Sequence, residues 1–358
     1  MLYQRKLQRH AIGIFVFVAT LSTAATTNQT THVEMDHAIK TDIALFYDDA
    51  FLLHRTGAGH PERPDRLKAA VSRIRDDYSL SQKVTWPPFS PAPMEAIKAV
   101  HTSGYVALAR TESDAVEDGQ FVQLSTGDTI LSSDTWSAAL LAAGAAMASV
   151  DAVVQEQHPA AFALVRPPGH HATPDRGMGF CVFNNIAIAA RHAQRKPAIE
   201  RVLIVDIDVH HGNGTQDIFY EDDTVYFFCV HQHPLYPGSG RPSEQGRGRG
   251  KGYTQNVDLP AGAGDDDILS ALRNKLLPAM ESFQPQLILV SAGFDGHTAD
   301  PLGGLRYTAE GYARMARMLQ DLAIRYADGQ IGFILEGGYN TKAMADSIAA
   351  MLEELSCL

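Results

Sequence analysis

The chain has 358 residues, of which 45% are hydrophobic and 20% charged, and this balance excludes disorder, collagen and a coiled coil for the chain as a whole. With 41 acidic and 30 basic residues the formal charge is −11, which disfavours binding to a phosphate backbone. The three cysteines form no CxxC pair, so the sequence indicates neither a disulfide framework nor a thiolate metal site.

The N-terminal 40 residues differ from the rest of the chain. Basic residues precede an apolar run over 11–21, and small residues follow at 22–25. This order is typical of a secretory signal peptide, so we expect residues 1–25 to direct export to a periplasm or the outside, with 26–40 as a linker. The apolar run is too short to span a bilayer comfortably, so we expect no stable membrane insertion. An organellar transit peptide is the alternative, because no acidic residue precedes Glu34 and Ser and Thr are plentiful.

The remaining residues, 41–358, alternate between short apolar runs and helical patterns. The apolar runs are Ile43–Tyr47, Phe162–Arg166, Val202–Ile207, Val225–Val230, Leu287–Ser291 and Phe333–Leu335. The helical patterns are Pro64–Asp77, Thr135–Gln157, Asn184–Arg195, Asp265–Phe283, Thr308–Ala327 and Thr341–Leu355. Because most of the runs are apolar on both faces, this alternation predicts a single α/β domain with a mostly parallel central sheet and helices on both faces.

One segment, Gly238–Gly252, is rich in glycine and arginine. Such a run can bind RNA, and it can equally be a long surface loop interrupted by glycines. The surface loop is the favoured interpretation, and we expect no nucleic-acid partner.

Polar residues follow four of the predicted strands, where α/β sheets bind their ligands. Asp206, Asp208 and His210 are spaced by two, so on an extended chain they point to one face. Two carboxylates that converge beside a buried strand repel each other unless a proton or a cation neutralises them. A divalent metal is the simplest neutraliser, although two aspartates that cap a helix are the alternative.

The other three strand ends carry His170 and His171, Asp295, and Tyr339. Imidazoles transfer protons near neutral pH, and a neutral tyrosine donates a hydrogen bond to an oxyanion. Each residue alone has a simpler explanation as a surface or loop residue. Together they favour a hydrolytic site with two Asp and one His around a metal that keeps positions open for water and substrate.

These segments resemble the histone deacetylase and acetylpolyamine amidohydrolase superfamily over roughly residues 43–340. The similar segments are HPERP at 60–64, RPPGHH at 166–171, GFC at 179–181, DIDVHHGNG at 206–214, SAGFD at 291–295 and EGGYN at 336–340. The spacing is most similar to class II deacetylases and their bacterial relatives. The resemblance implies an arginase-deacetylase-like fold and a zinc-dependent deacetylase domain over residues 41–358.

The resemblance also implies a role for individual residues. The implied zinc ligands are Asp208, His210 and Asp295. The implied catalytic groups are the acid/base pair His170 and His171, their partners Asp206 and Asn213, and the transition-state residue Tyr339. For the substrate tunnel, the resemblance implies Phe180 and Tyr236 as two walls, Arg63 as the arginine at its foot, and Leu302 at the gatekeeper position.

A monovalent cation, usually K⁺, is implied near the zinc. Its ligands would be carbonyl groups of Asp206, Asp208, His210 and Val230 together with an Asp206 side-chain oxygen. Cys229 stands where the family usually has a serine hydroxyl, and a thiol is a poor ligand for a hard cation. This substitution puts the affinity of the cation site in doubt.

The expected substrate is an acylated lysine in a peptide or protein, from which acetyl or another acyl group is removed. An acetylated small amine, such as an N-acetylpolyamine, is the first alternative. Leu302 disfavours it, because the acetylpolyamine-selective relatives in vertebrates have Glu at this position. A catalytically inactive member that binds acyl ligands is the second alternative, and an acylated small molecule or glycan is a further one. The rim loop that would select among substrates is expected within residues 110–133.

Overall fold

The computed structural model describes residues 42–155 and 158–357. The expected signal peptide at 1–25 and linker at 26–40 therefore lie outside the described residues.

Ten strands lie within the described part of the chain. They are β1 (Ile43–Phe46), β2 (Val84–Thr85), β3 (Val122–Gln123), β4 (Ile130–Leu131), β5 (Ala161–Ala163), β6 (Val202–Asp206), β7 (Val225–Gln232), β8 (Thr254–Leu259), β9 (Leu287–Ala292) and β10 (Ile331–Leu335). Eight of them form one sheet in the order β2-β1-β5-β10-β9-β6-β7-β8, and every pair in it is parallel. The strands β3 and β4 form a separate antiparallel hairpin.

Eleven α-helices connect the strands in the same described ranges. They are α1 (Asp65–Asp76), α2 (Tyr78–Ser81), α3 (Met94–Ile97), α4 (Ser103–Asp114), α5 (Thr135–Val154), α6 (Asn185–Ala193), α7 (Asn213–Phe219), α8 (Asp265–Ala271), α9 (Leu277–Phe283), α10 (Ala309–Tyr326) and α11 (Thr341–Leu355). A π-helical turn, Leu272–Leu276, joins α8 to α9. Two 3₁₀ turns occupy Asp49–Leu53 and Gly248–Gly250.

The parallel sheet is buried on both faces, as its sequence predicted. Every residue of β1, β5, β6, β7, β9 and β10 is buried. Helices α5 and α6 pack together and cover β1, β5, β6, β9 and β10, whereas α1, α10 and α11 form a second packed group. The predicted α/β class is therefore confirmed. The strand β8 was missed because its residues are largely polar and it lies at the sheet edge.

Helix α5 is long and apolar enough to cross a membrane by length and composition, although the sequence predicted no stable membrane insertion. About two-thirds of its most apolar window is buried inside the protein, as in the core helix of a globular domain. The glycine- and arginine-rich segment is a loop, as favoured. Arg247 and Arg249 in it pair with Glu221 and Asp223, so acidic neighbours offset its positive charge.

Candidate active site

The carboxyl ends of four adjacent strands meet at one edge of the sheet. In the order β5-β10-β9-β6, these strands are followed by the loops with His170, Glu336, Asp295 and Asp208. Strand order therefore brings together residues that are up to 166 positions apart, since Glu336 accepts a hydrogen bond from the backbone of His170.

Asp208, His210 and Asp295 form a compact group of potential metal ligands. Their ligand atoms all lie within 4.8 Å of one another. Nδ1 of His210 is 3.0 Å from Oδ1 of Asp208 and 3.2 Å from Oδ2 of Asp295. Backbone amides orient both carboxylates, because Gly337 N donates to Asp208 at 2.9 Å and Val209 N donates to Asp295 at 2.9 Å.

The group fits a divalent cation. Oδ2 of Asp295 is buried and, although Nδ1 of His210 lies 3.2 Å away, it makes no well-aligned hydrogen bond with any described residue. Burial and the neighbouring charge of Asp208 raise the pKa of Asp295 to about 6. The surrounding protein groups therefore stabilise the negative charge of this carboxylate poorly. A cation among the three side chains would satisfy the orphaned oxygen. Two carboxylate oxygens and one imidazole suit Zn²⁺, and other divalent transition metals accept the same donors.

The two adjacent histidines have different partners. Nδ1 of His170 lies 2.9 Å from Oδ2 of Asp206, whereas Nδ1 of His171 lies 2.8 Å from Oδ1 of Asn213. Burial lowers the pKa of His170, but the charges of Asp206 and Asp208 outweigh it and hold that pKa well above its ordinary value. Burial and the neighbouring imidazoles of His170 and His210 hold the pKa of His171 well below its ordinary value. The pKa values of the two histidines are therefore shifted in opposite directions, an arrangement that suits one ring to act as an acid and the other as a base.

Tyr339 lies on a loop that approaches Asp295 so closely that position 337 must be glycine. A Cβ on Gly337 would lie 2.0 Å from Oδ2 of Asp295, so no side chain fits there. Asp300 accepts the backbone amides of Tyr339 and Asn340 at 2.6 and 3.0 Å. Asn340 also caps the N-terminus of α11, and this fixes the loop at both of its ends. Burial raises the pKa of Tyr339 well above its ordinary value, so its hydroxyl stays a donor.

Glu336 is a site residue to which the sequence analysis assigned no role. Its Oε2 accepts Gly169 N at 2.6 Å and His170 N at 3.1 Å, and its Oε1 accepts the hydroxyl of Ser291 at 3.1 Å. Burial raises its pKa to about 7. One feature of the sequence could have identified Glu336: it is an acidic residue at the end of a buried apolar strand, next to the glycines that precede Tyr339.

The arginine that contacts the site is Arg66, not the expected Arg63. The side chain of Arg63 is 43% exposed and lies 3.6 Å from Asp65. Arg66 is fully buried, donates to the carbonyl of Gly338 at 2.6 Å, and places its guanidinium 5.1 Å from the centre of the Tyr339 ring. Arg63 lies just before the N-cap of α1, whereas Arg66 lies in the first turn of the helix on its buried side, within reach of the Tyr339 loop.

Behind this arginine lies a buried ionic network. Glu62 pairs with Arg66 at 3.0 Å and with Arg166 at 2.7 Å. Arg166 also donates to the carbonyls of Phe51 and His54, both at 2.9 Å. These contacts tie the HPERP segment to the loops that carry the histidines and the tyrosine.

Aromatic rings lie beside the catalytic side chains, where the resemblance implies a substrate tunnel. The ring of Phe180 lies 6.0 Å from that of Tyr339, and the ring of Tyr236 lies 5.1 Å from that of His171. Tyr236 is 38% exposed, which places it at the mouth. Leu302 is partly buried, and its amide donates to Asp300 at 3.0 Å. Its role as a tunnel wall stays a prediction.

The expected monovalent-cation site also stays a prediction. Cys229 is buried on β7 in register with Asp206 on β6. Its sulfur lies 3.4 Å from Nδ1 of His231, and burial raises the pKa of the thiol well above its ordinary value. A neutral thiol therefore stands where the cation would need a hard oxygen ligand.

Comparison with known proteins gives a consistent result. A family model described as a histone deacetylase domain matches residues 60–355. Histone deacetylase 14, chloroplastic, of Arabidopsis thaliana is 40% identical over 319 residues, with 86% of this chain and 75% of that protein covered. Histone deacetylase 10, chloroplastic, of Oryza sativa subsp. japonica is 39% identical over 340 residues, with 89% and 77% covered. The crystal structure of the HDA15 HD domain superposes with a TM-score of 0.83 at 37% identity, and 89% of each chain is covered.

The expectation of export is wrong by this comparison. Two similar relatives are chloroplastic proteins, and they support the organellar alternative for the N-terminal segment. The composition misled because a basic start and an acid-free, Ser/Thr-rich stretch occur in signal peptides and in transit peptides alike.

Proposed function

Because this chain belongs to the histone deacetylase family, and is thus a hydrolase of the deacetylase type, we propose that it is a zinc-dependent amide hydrolase acting on ε-acyl-lysine in peptides or proteins. The observation that carries the proposal is the group Asp208, His210 and Asp295 beside two adjacent histidines, of which one is paired with a carboxylate and the other with an amide.

The three ligand side chains would hold the metal at the base of the tunnel. A divalent ion bound there supplies Lewis-acid polarisation of the acyl carbonyl and acidifies a water molecule. The orphaned oxygen of Asp295 and the amides that orient Asp208 and Asp295 support this use of the group.

His171 is the proposed general base. Asn213 accepts a hydrogen bond at Nδ1 of His171, so in the neutral ring the proton resides on Nδ1 and Nε2 is free to take a proton from water. The low pKa keeps this imidazole neutral near pH 7.

His170 is the proposed general acid. Asp206 holds the proton on its Nδ1, and the surrounding carboxylates keep the ring cationic. Nε2 of His170 can then donate a proton to the leaving amine. The hydroxyl of Tyr339 donates to the oxyanion that develops on the carbonyl oxygen of the acyl group. The loss of such a contact typically costs about 10²–10³ in rate. The products are a carboxylate such as acetate and a free amine.

Peptidyl acyl-lysine is the proposed substrate class. The mouth is formed by aromatic rings, and Leu302 offers no charge to a second ammonium group. N-Acetylpolyamine is the second candidate, because Asp128 is exposed and its charge acts on the hydroxyl of Tyr236 at the mouth. A cationic amine would be attracted by this carboxylate.

The test is kcat/KM of the zinc-loaded protein on an acetyl-lysine peptide and on N-acetylputrescine in parallel. We expect at least about a tenfold preference for the peptide, or about 1.4 kcal/mol of transition-state binding. Preference for the polyamine would contradict the argument from Leu302 and assign selectivity to Asp128 and the surrounding loop. Bound zinc without turnover of either substrate would indicate an inactive member that binds acyl ligands.

A further inference from the structure

Two adjacent apolar side chains are exposed on the β3–β4 hairpin. Phe121 is 46% and Val122 is 45% exposed. The ring of Phe121 lies over Gly57, since a Cβ on Gly57 would be 3.6 Å from Cδ2 of that ring. The hairpin falls within the segment 110–133, for which the sequence predicted a rim loop.

Residues 57–60 run from beneath the ring of Phe121 toward Phe180, and residues 57–59 are only glycine and alanine. Ala58 and Gly59 are exposed, and no atom lies within 4 Å of the position that a Cβ on Gly59 would take. His60 follows, and its ring packs edge-on against Phe180 at 4.7 Å. We call residues 57–60, Phe121 and Val122 the mouth shelf.

The β3–β4 hairpin, which carries Phe121, is hydrogen-bonded to the segment that carries Phe180. Thr126 and Thr129 donate to the carbonyls of Gly177 and Cys181, both at 3.0 Å. The amide of Gly179 donates to Asp128 at 2.6 Å. These hydrogen bonds hold the hairpin in place beside the segment that carries Phe180. A ligand would therefore meet a preformed surface, and little binding free energy would be lost in ordering the hairpin.

We propose that the mouth shelf binds an apolar side chain that flanks the acyl-lysine of a peptide substrate. This inference rests on the proposed function. A lysine that enters past Phe180 leaves its neighbours in the chain outside, about 3.3–3.6 Å away per residue, and within reach of His60 and Phe121. The residue preferred next to the acyl-lysine is then a large aliphatic or aromatic one, because the exposed ring of Phe121 offers it only apolar atoms.

A second copy of this chain is a poorer occupant. A stable interface buries about 800 Å² on each partner, whereas the apolar part of the mouth shelf consists of two half-exposed side chains and small residues. The continuity with Phe180 through His60 also points to the substrate of the tunnel.

The test compares acetyl-lysine peptides that are identical except for Leu or Ser at one position beside the acetyl-lysine, scanned on both sides. For the wild-type protein we expect kcat/KM to favour Leu about tenfold on one side, the range of a modest apolar contact. Phe121→Ser should bring this ratio down to about two or less. The matched control is Ile324→Ser, which removes a 55% exposed side chain from α10 and should keep the wild-type ratio.

A wild-type ratio near one on both sides, or an unchanged ratio in Phe121→Ser, would overturn the proposal. An equal loss on both peptides in Phe121→Ser would do the same, since it would mark a general structural effect. A dimer in sedimentation that Phe121→Ser dissociates would assign the surface to a second copy instead.

A second measurement keeps the two proposals distinguishable: the dissociation constants of the Leu and Ser peptides, carrying a fluorescent label, for the wild-type protein and for Phe121→Ser. If no peptide is hydrolysed, the proposed function fails, while a Leu/Ser affinity ratio that depends on Phe121 would still support the mouth shelf. Hydrolysis without such a ratio would leave the proposed function standing and overturn the shelf.

Discussion

The base of the candidate site and its mouth are built in opposite ways. At the base, Asp206, Asp208, Asp295 and Glu336 are at most 1% exposed, and each carboxylate accepts hydrogen bonds from the backbone or from a neighbouring side chain. At the mouth, the aromatic side chains are up to 46% exposed. In the proposed function, the base determines which reaction the protein performs, and the mouth determines which acylated amine reaches it. Base variants should therefore slow all substrates equally, whereas mouth variants should change their ratio.

Tyr339→Phe tests the base with the largest expected effect. It removes one hydroxyl donor, so kcat should fall by about 10²–10³ for peptide and polyamine substrates alike. Steady-state kinetics on both substrates measure this, with zinc content by mass spectrometry as the control. Near-full turnover would remove Tyr339 from the mechanism, and a substrate-dependent loss would break the division between base and mouth.

Glu336 tests whether the base depends on charge or on geometry. Glu336→Ala leaves the buried amides of Gly169 and His170 without an acceptor, which should lower the free energy of unfolding by about 1–3 kcal/mol and lower kcat about tenfold or more. Glu336→Gln keeps an oxygen for both amides and should retain most of the activity. Urea unfolding and kcat distinguish the outcomes. Equal losses in both variants would show that the negative charge, not the hydrogen bonds, is needed.

Asn213→Asp tests the split between the two histidines. Activity should fall as the pH drops through the pKa of His171, because the proposed base must be neutral. That pKa is low because of burial, and a carboxylate at position 213 would raise it. The acid limb of the kcat/KM–pH profile should therefore move to higher pH with both substrates. An unmoved limb would mean that another group controls it.

Cys229→Ser has the smallest expected effect. A hydroxyl gives a hard cation a better ligand than the thiol, so the variant should gain about 0.5–1 kcal/mol more stability in KCl than in an equal concentration of choline chloride. Thermal unfolding in the two salts measures this, with the wild-type protein as the reference. Identical salt responses in the two proteins would argue against a cation site beside Asp206.

Much of the base could be predicted from the sequence because its information is local. The strand before Asp208 and His210 is recognisable by its apolar residues, although the two residues lie in the bend after β6 and not on the extended chain that the spacing of two assumed. The segments DIDVHHGNG, SAGFD and EGGYN carry their roles within a few positions each. The helical pattern predicted over Thr341–Leu355 coincides with α11, and Asn340, which caps the helix right after Tyr339, is a residue type that favours that position.

Tertiary structure decided the features that depend on distant contacts. Only the strand order brings Glu336 onto the amide of His170, and only the packing of α1 places Arg66, in its first turn, against the Tyr339 ring, while Arg63 stays outside the helix. Phe121 lies beside the tunnel because hydrogen bonds from its hairpin reach Gly177 and Cys181, about 50 positions further along the chain. Sequence patterns determine which faces are apolar and where turns occur, whereas contacts between distant segments depend on how all the elements pack at once.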